Sequence, residues 1–147
     1  MKYKLTDETI TTESGIVLHR IKCVSSFGNV KEGDKGGWIE KEENLSQYNY
    51  CWVHGNAWVY GNARVYGYAR VYGNAVICNS NDYIVFKNNW SSGRWFTWTR
   101  SNDMWKAGCF YGTGKELIEK AYKDSKLSGD CYKSYVELVE KLKELKK

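Results

Sequence analysis

The chain predicts a mainly β fold closed by C-terminal helices, and three observations carry that expectation. Residues 53–77 repeat with a period of six, residues 81–112 alternate as short strands, and the residues from Thr113 onward take helical spacing. The first is the most specific. Val53, Val59, Val65, Val71 and Ile77 recur in fixed phase with Gly55, Gly61, Gly67 and Gly73 and with Ala57, Ala63, Ala69 and Ala75. No lone helix or strand returns an aliphatic residue to one environment every six positions, whereas a solenoid of short strands and tight turns does.

Within one step the aliphatic residue points inward from a short strand. The next residue (His54, Tyr60, Tyr66 or Tyr72) points outward, Gly-Asn turns the chain, and Ala fits the inner corner. Tyr68 stands where the other steps carry Asn. A low-complexity disordered tract is the alternative for Gly-Asn-Ala repeats, but the strictly placed valines and outward rings favour packed strands. The segment resembles the hexapeptide-repeat left-handed β-helix, in which about three steps make one triangular coil. That resemblance implies a short left-handed β-helix of about two coils over residues 37–80. Ile39 and Leu45 are also six apart, but two residues out of phase with Val53. So few repeats leave both ends open, and flanking chain or a second subunit must cover them.

Residues 1–36 read as an N-terminal cap, with strands over 1–6 and 16–24 around a turn at Gly15. The glycine-rich loop from Gly28 to Gly37 lacks the order of a phosphate-binding loop and has no helix after it, so it reads as a connecting turn. Residues 81–147 read as an α+β module. Segments 83–86, 94–100 and 104–110 form a three-stranded antiparallel meander joined by Asn, Ser and Gly turns. Two α-helices follow. Thr113 and Glu116 have the spacing of a capping box, and Tyr132, Tyr135, Val136, Leu138, Val139, Leu142 and Leu145 follow helical spacing in the second helix.

Composition narrows the function classes. Seven Trp and twelve Tyr, in a chain of mean hydropathy −0.62, place many rings at partly wet positions, in grooves or subunit interfaces. A homo-oligomer is therefore expected. The five cysteines are odd in number and show no CxxC spacing, so most of them read as small core residues, and no metal or cofactor is expected. No stretch has the form of a signal peptide or the apolar length of a membrane span, which predicts a cytosolic protein.

Two surfaces are candidates for binding. One is the outward series Tyr60, Tyr66 and Tyr72 with Arg64 and Arg70; the other is the strand bearing Arg94, Phe96, Trp98 and Arg100. Arginine offers forked hydrogen bonds to phosphate or carboxylate and an adjacent ring offers a stacking plane, which suits a nucleotide, a nucleic acid or an acidic protein patch. Trp38-Ile39, the Gly-Asn-Ala repeats, Asp82-Tyr83, the strand ending at Arg100, and Gly108-Cys-Phe-Tyr-Gly-Thr113 before a Glu-bearing helix together resemble uncharacterised β-helix proteins of phages and prophages. The resemblance spans nearly the whole chain. It implies a mobile-element setting in a host cytosol, where such proteins often antagonise host defence by occluding a host protein or sequestering a nucleotide signal. Two other classes stay open. Hexapeptide-repeat proteins include acyltransferases that use a histidine, for which His54 and His19 are the candidates, although the coil is shorter than those enzymes usually need. The net charge of +5 leaves direct nucleic-acid binding open.

Overall fold

A computed structural model describes residues 1–145 as a sheet-rich fold with two C-terminal helices. Strands β1 (Tyr3–Thr11) and β2 (Val17–Cys23) form an antiparallel hairpin, and β2 pairs antiparallel with β3 (Lys35–Ile39). The chain then turns through the repeats, where the two-residue strands β4 (Trp52–Val53), β5 (Trp58–Val59), β6 (Arg70–Val71) and β7 (Val76–Ile77) pair in parallel. Three columns of aliphatic partners result: Ile39 beside Val59 beside Ile77, Leu45 beside Val65, and Val53 beside Val71. All seven are essentially inaccessible to solvent, as are Ala57, Ala63, Ala69 and Ala75 at the corners. The four repeat glycines hold φ between 59° and 68°, as their turns require.

The two-residue phase shift has a local cause. Leu45 and Val53 are eight residues apart rather than six, and the extra chain bulges through Asn49 at φ 61°. Lys2 fills this corner: its backbone N–H donates to Gln47 Oε1, and its Nζ donates to the carbonyls of Tyr48, Asn49 and Cys51. Burial pushes the Lys2 ammonium below its usual value, and those carbonyls supply the hydrogen bonds a buried charge needs. The loop expected to be a plain turn ends in β3, whose two glycines serve close packing. A Cβ at Gly36 would stand 2.6 Å from the Val53 carbonyl, and one at Gly37 2.7 Å from that of Ala57. The hairpin's Tyr3, Ile21 and Cys23 share one apolar core with the repeats.

The C-terminal part departs from expectation in one respect. Its sheet has four antiparallel strands, not three, in the order β11-β10-β9-β8: β8 (Tyr83–Lys87), β9 (Trp95–Thr99), β10 (Met104–Ala107) and β11 (Phe110–Gly112). The third expected strand is split by a two-residue hairpin turn at Gly108 and Cys109, with glycine first as such turns favour. Helix α1 (Gly114–Asp124) opens with the expected box, Glu116 N–H donating to Thr113 Oγ1 at 3.2 Å and Thr113 N–H to Glu116 Oε1 at 2.9 Å. Helix α2 (Lys126–Leu145) packs against α1. No helix of the described residues is long and apolar enough to cross a membrane.

The final turn of the repeats has no further strand to receive its backbone donors, and the C-terminal part supplies acceptors instead. Arg70 N–H donates to Thr97 Oγ1 (3.0 Å), Val76 N–H to Ser101 Oγ (2.8 Å) and Cys78 N–H to Asp82 Oδ2 (2.9 Å). Flanking chain thus covers the two ends, β2 on one side and β8–β9 on the other. Buried N–H groups left without partners would cost about 1–3 kcal/mol each.

Candidate functional site

A period of six wound on three columns sends consecutive outward residues to three different faces, while residues eighteen apart stack. Tyr60, Tyr66 and Tyr72 follow Val59, Val65 and Val71, one in each column. They are not one ladder, and Arg64 and Arg70 part in the same way. Tyr66 is 65% exposed; Tyr60 lies beneath Cys78, and burial pushes its phenol above the usual value. Tyr72 stacks on His54 with ring centroids 3.8 Å apart, the neighbour that a three-step coil predicts.

The second candidate surface is divided by strand alternation. Phe96 and Trp98 point into a separate core with Trp105, Leu117, Ala121, Tyr132, Val136 and Val139, and are 1% and 3% exposed. They present no free surface, because the apolar sides of α1 and α2 need that face of β9. Arg94 is exposed beside a different cavity of about 320 Å³ that includes Lys120 and Asp124. Arg100 follows β9 and its N–H donates to the Asp82 carbonyl.

The opposite face of β9 meets the Val53–Val71 side of the repeats and makes a groove of about 670 Å³. Arg70 and Tyr72 come from the repeats, with Tyr50 and Tyr68, which lie eighteen residues apart with centroids at 5.7 Å. Trp95 and Thr97 come from β9, Lys106 from β10, and Cys109 from the hairpin turn. Tyr68 and Trp95 stack at 4.4 Å, only 7° from parallel. Lys106 Nζ stands 4.5 Å from the Tyr72 ring centroid, and Lys87 Nζ 5.4 Å from that of Trp95.

The groove is cationic. Arg70 Nη1 donates to Asn29 Oδ1 at 2.9 Å. Among the described residues neither Arg70 nor Lys106 has a carboxylate within ion-pair distance. Burial pulls both below their usual pKa; for Lys106 the nearby Cys109 opposes that pull and the Arg70 charge adds to it. Two partly buried cations facing the same space without counter-charge give that space a positive potential, which attracts negative charge. His54 lies beneath this pair, its Nε2 buried and without a hydrogen-bond partner among the described residues. Burial, then the charges of Arg70 and Lys106, push its pKa down to about 3. It is neutral at ordinary pH and too weak a base for general-base work near neutrality. His19 lies elsewhere, its Nδ1 3.1 Å from the Thr6 carbonyl on β1. Among the described residues no three His, Cys, Asp or Glu side chains converge to hold a metal ion.

Of the residues singled out in the sequence, Arg70 and Tyr72 line this groove, with His54 stacked against Tyr72 behind it; Arg64, Tyr60, Tyr66, Arg94 and Arg100 do not line it. Tyr50, Tyr68, Trp95 and Lys106 were missed. The one signal for them was Tyr68 itself, a bulky ring in a turn position otherwise held by Asn.

No protein-family model matches the chain. Over 60 residues it is 33% identical to a protein of Escherichia coli strain K12 named an uncharacterized acetyltransferase, YdcK. The similar stretch takes in 36% of this chain and spans only 18% of that relative's length.

Proposed function

We propose that the chain is a non-catalytic binding protein on a short left-handed β-helix of the hexapeptide-repeat kind, and that the groove beside Arg70 takes a nucleotide-like anion. The observation that carries this is the pair Arg70 and Lys106, uncompensated by any carboxylate of the described residues and flanked by the rings of Tyr68, Tyr72 and Trp95. Guanidinium and ammonium groups provide for phosphate, and an aromatic plane provides for a base. With the resemblance to phage and prophage proteins, sequestering a nucleotide signal in a host cytosol is the use that suits such a groove. Titration calorimetry with mononucleotides tests it. Binding should weaken at least tenfold in a protein carrying both Arg70→Ala and Lys106→Ala, while absence of heat with every nucleotide would falsify the proposal.

Acyl transfer is the second reading, favoured by the partial identity to the protein named an acetyltransferase. The environment of His54 weighs against it, since an imidazole with a pKa near 3 is a poor proton acceptor. Acetyl transfer from acetyl-CoA that disappears in His54→Phe would put this reading first.

A further inference from the structure

A second cavity, of about 630 Å³, adjoins the cationic groove, and Tyr68 and Trp95 line both. The stacked pair is therefore a wall with a space on either side, and its rings remain 37% and 40% exposed. Arg64 stands in the second space, opposite the side that holds Arg70 and Lys106, and Tyr66 adds a further exposed ring. Among the described residues neither space is lined by a carboxylate. Each volume lies in the range of about 300–1,000 Å³ that accepts a small organic ligand. Two neighbouring sites, each with its own cation and ring, match a ligand that repeats the same anionic and planar unit.

Building on the groove proposed above, we infer that the ligand is a dinucleotide lying across the Tyr68–Trp95 wall, one nucleoside phosphate held by Arg70 and Lys106 and the other by Arg64. One of those two phosphates is the joining phosphodiester, and the sugar between them crosses the edge of the stacked rings. Linking two units makes the second contact intramolecular, so the pair binds more tightly than either half.

The test compares 5′-phosphorylated linear dinucleotides of each base with the matching mononucleotides by titration calorimetry. A dinucleotide should bind at least tenfold more tightly. Arg64→Ala should erase that gain, whereas Arg70→Ala should weaken mononucleotide and dinucleotide binding alike. Mononucleotide binding with no gain for the dinucleotide, or a gain that survives Arg64→Ala, overturns the two-site arrangement and leaves the groove standing. Affinity that keeps rising with twelve-residue oligonucleotides overturns it in favour of a nucleic-acid strand. If neither mononucleotide nor dinucleotide binds, the groove and the second site fall together.

Discussion

The repeats and the C-terminal part bury comparable numbers of side chains by opposite means. In the repeats the core is seven aliphatic residues and four alanines in register, each touching the residue eighteen or twenty positions away. In the C-terminal part it is a set of rings, Phe86, Phe96, Trp98, Trp105, Tyr132 and Tyr135, meeting at centroid distances of 5.0–6.4 Å and at many angles. The first core is addressed by counting along the chain, and the second by shape. The groove lies where the two meet, between a flat ladder of outward residues and a second sheet.

The sharpest way to break the contrast is to truncate a ring. Trp105→Ala should cost about 3–5 kcal/mol in urea unfolding, since its indole is fully buried among rings that cannot close over the space. A loss under about 1 kcal/mol would mean that the aromatic core repacks freely.

Acid should act next, on the repeat side. A free imidazole takes a proton near pH 6.5, while His54 in the folded chain resists until about 3, so between those values the unfolded chain binds the extra proton. The stabilising difference is complete above pH 6.5 and shrinks as pH falls, by on the order of 3 kcal/mol at pH 4. His54→Phe keeps a ring against Tyr72 and removes the titration. Its stability should decline less between pH 6.5 and 5 than the parent's, and parallel curves would show that His54 is not held neutral.

The junction itself gives a smaller effect. Thr97→Val and Ser101→Ala each remove an acceptor from an N–H at the end of the repeats; the first, in a part-buried bond, should cost about 1–2 kcal/mol, and the second, in an exposed bond that water can replace, about 0.5 kcal/mol. Hydrogen exchange at Arg70 and Val76 should quicken at the same time; unchanged exchange would leave the capping role without support. Least of all should come from Tyr66→Ala. Tyr66 occupies the same repeat position as Tyr72 yet is largely exposed, so stability should stay within about 0.5 kcal/mol of the parent. A larger drop would mean that the three faces of the repeat are more alike than their packing indicates.

Much of the architecture was legible in the amino acids. The inward Val53, Val59, Val65 and Val71, the stacking of His54 on Tyr72, the Thr113–Glu116 box and the two helices all follow from local periodicity and capping. The split at Gly108 and the plug made by Lys2 did not, since a two-residue turn inside an apolar run and a lone lysine at the second position carry no periodic signal. The site was half legible. Arg70 and Tyr72 stood out as an arginine beside an aromatic residue, but spacing in sequence grouped them with Arg64, Tyr60 and Tyr66, which the coil carries to other faces.

By itself, then, the sequence determined which residues turn inward and where strands give way to helices, because a period of two, three and a half or six is a property of neighbours along the chain. Which face of β9 would be core, and that Lys106 and Trp95 would stand against Arg70 and Tyr68, was decided only when the sheet docked on the repeats. Strand alternation offers two equivalent faces, and the apolar sides of the helices claim one of them.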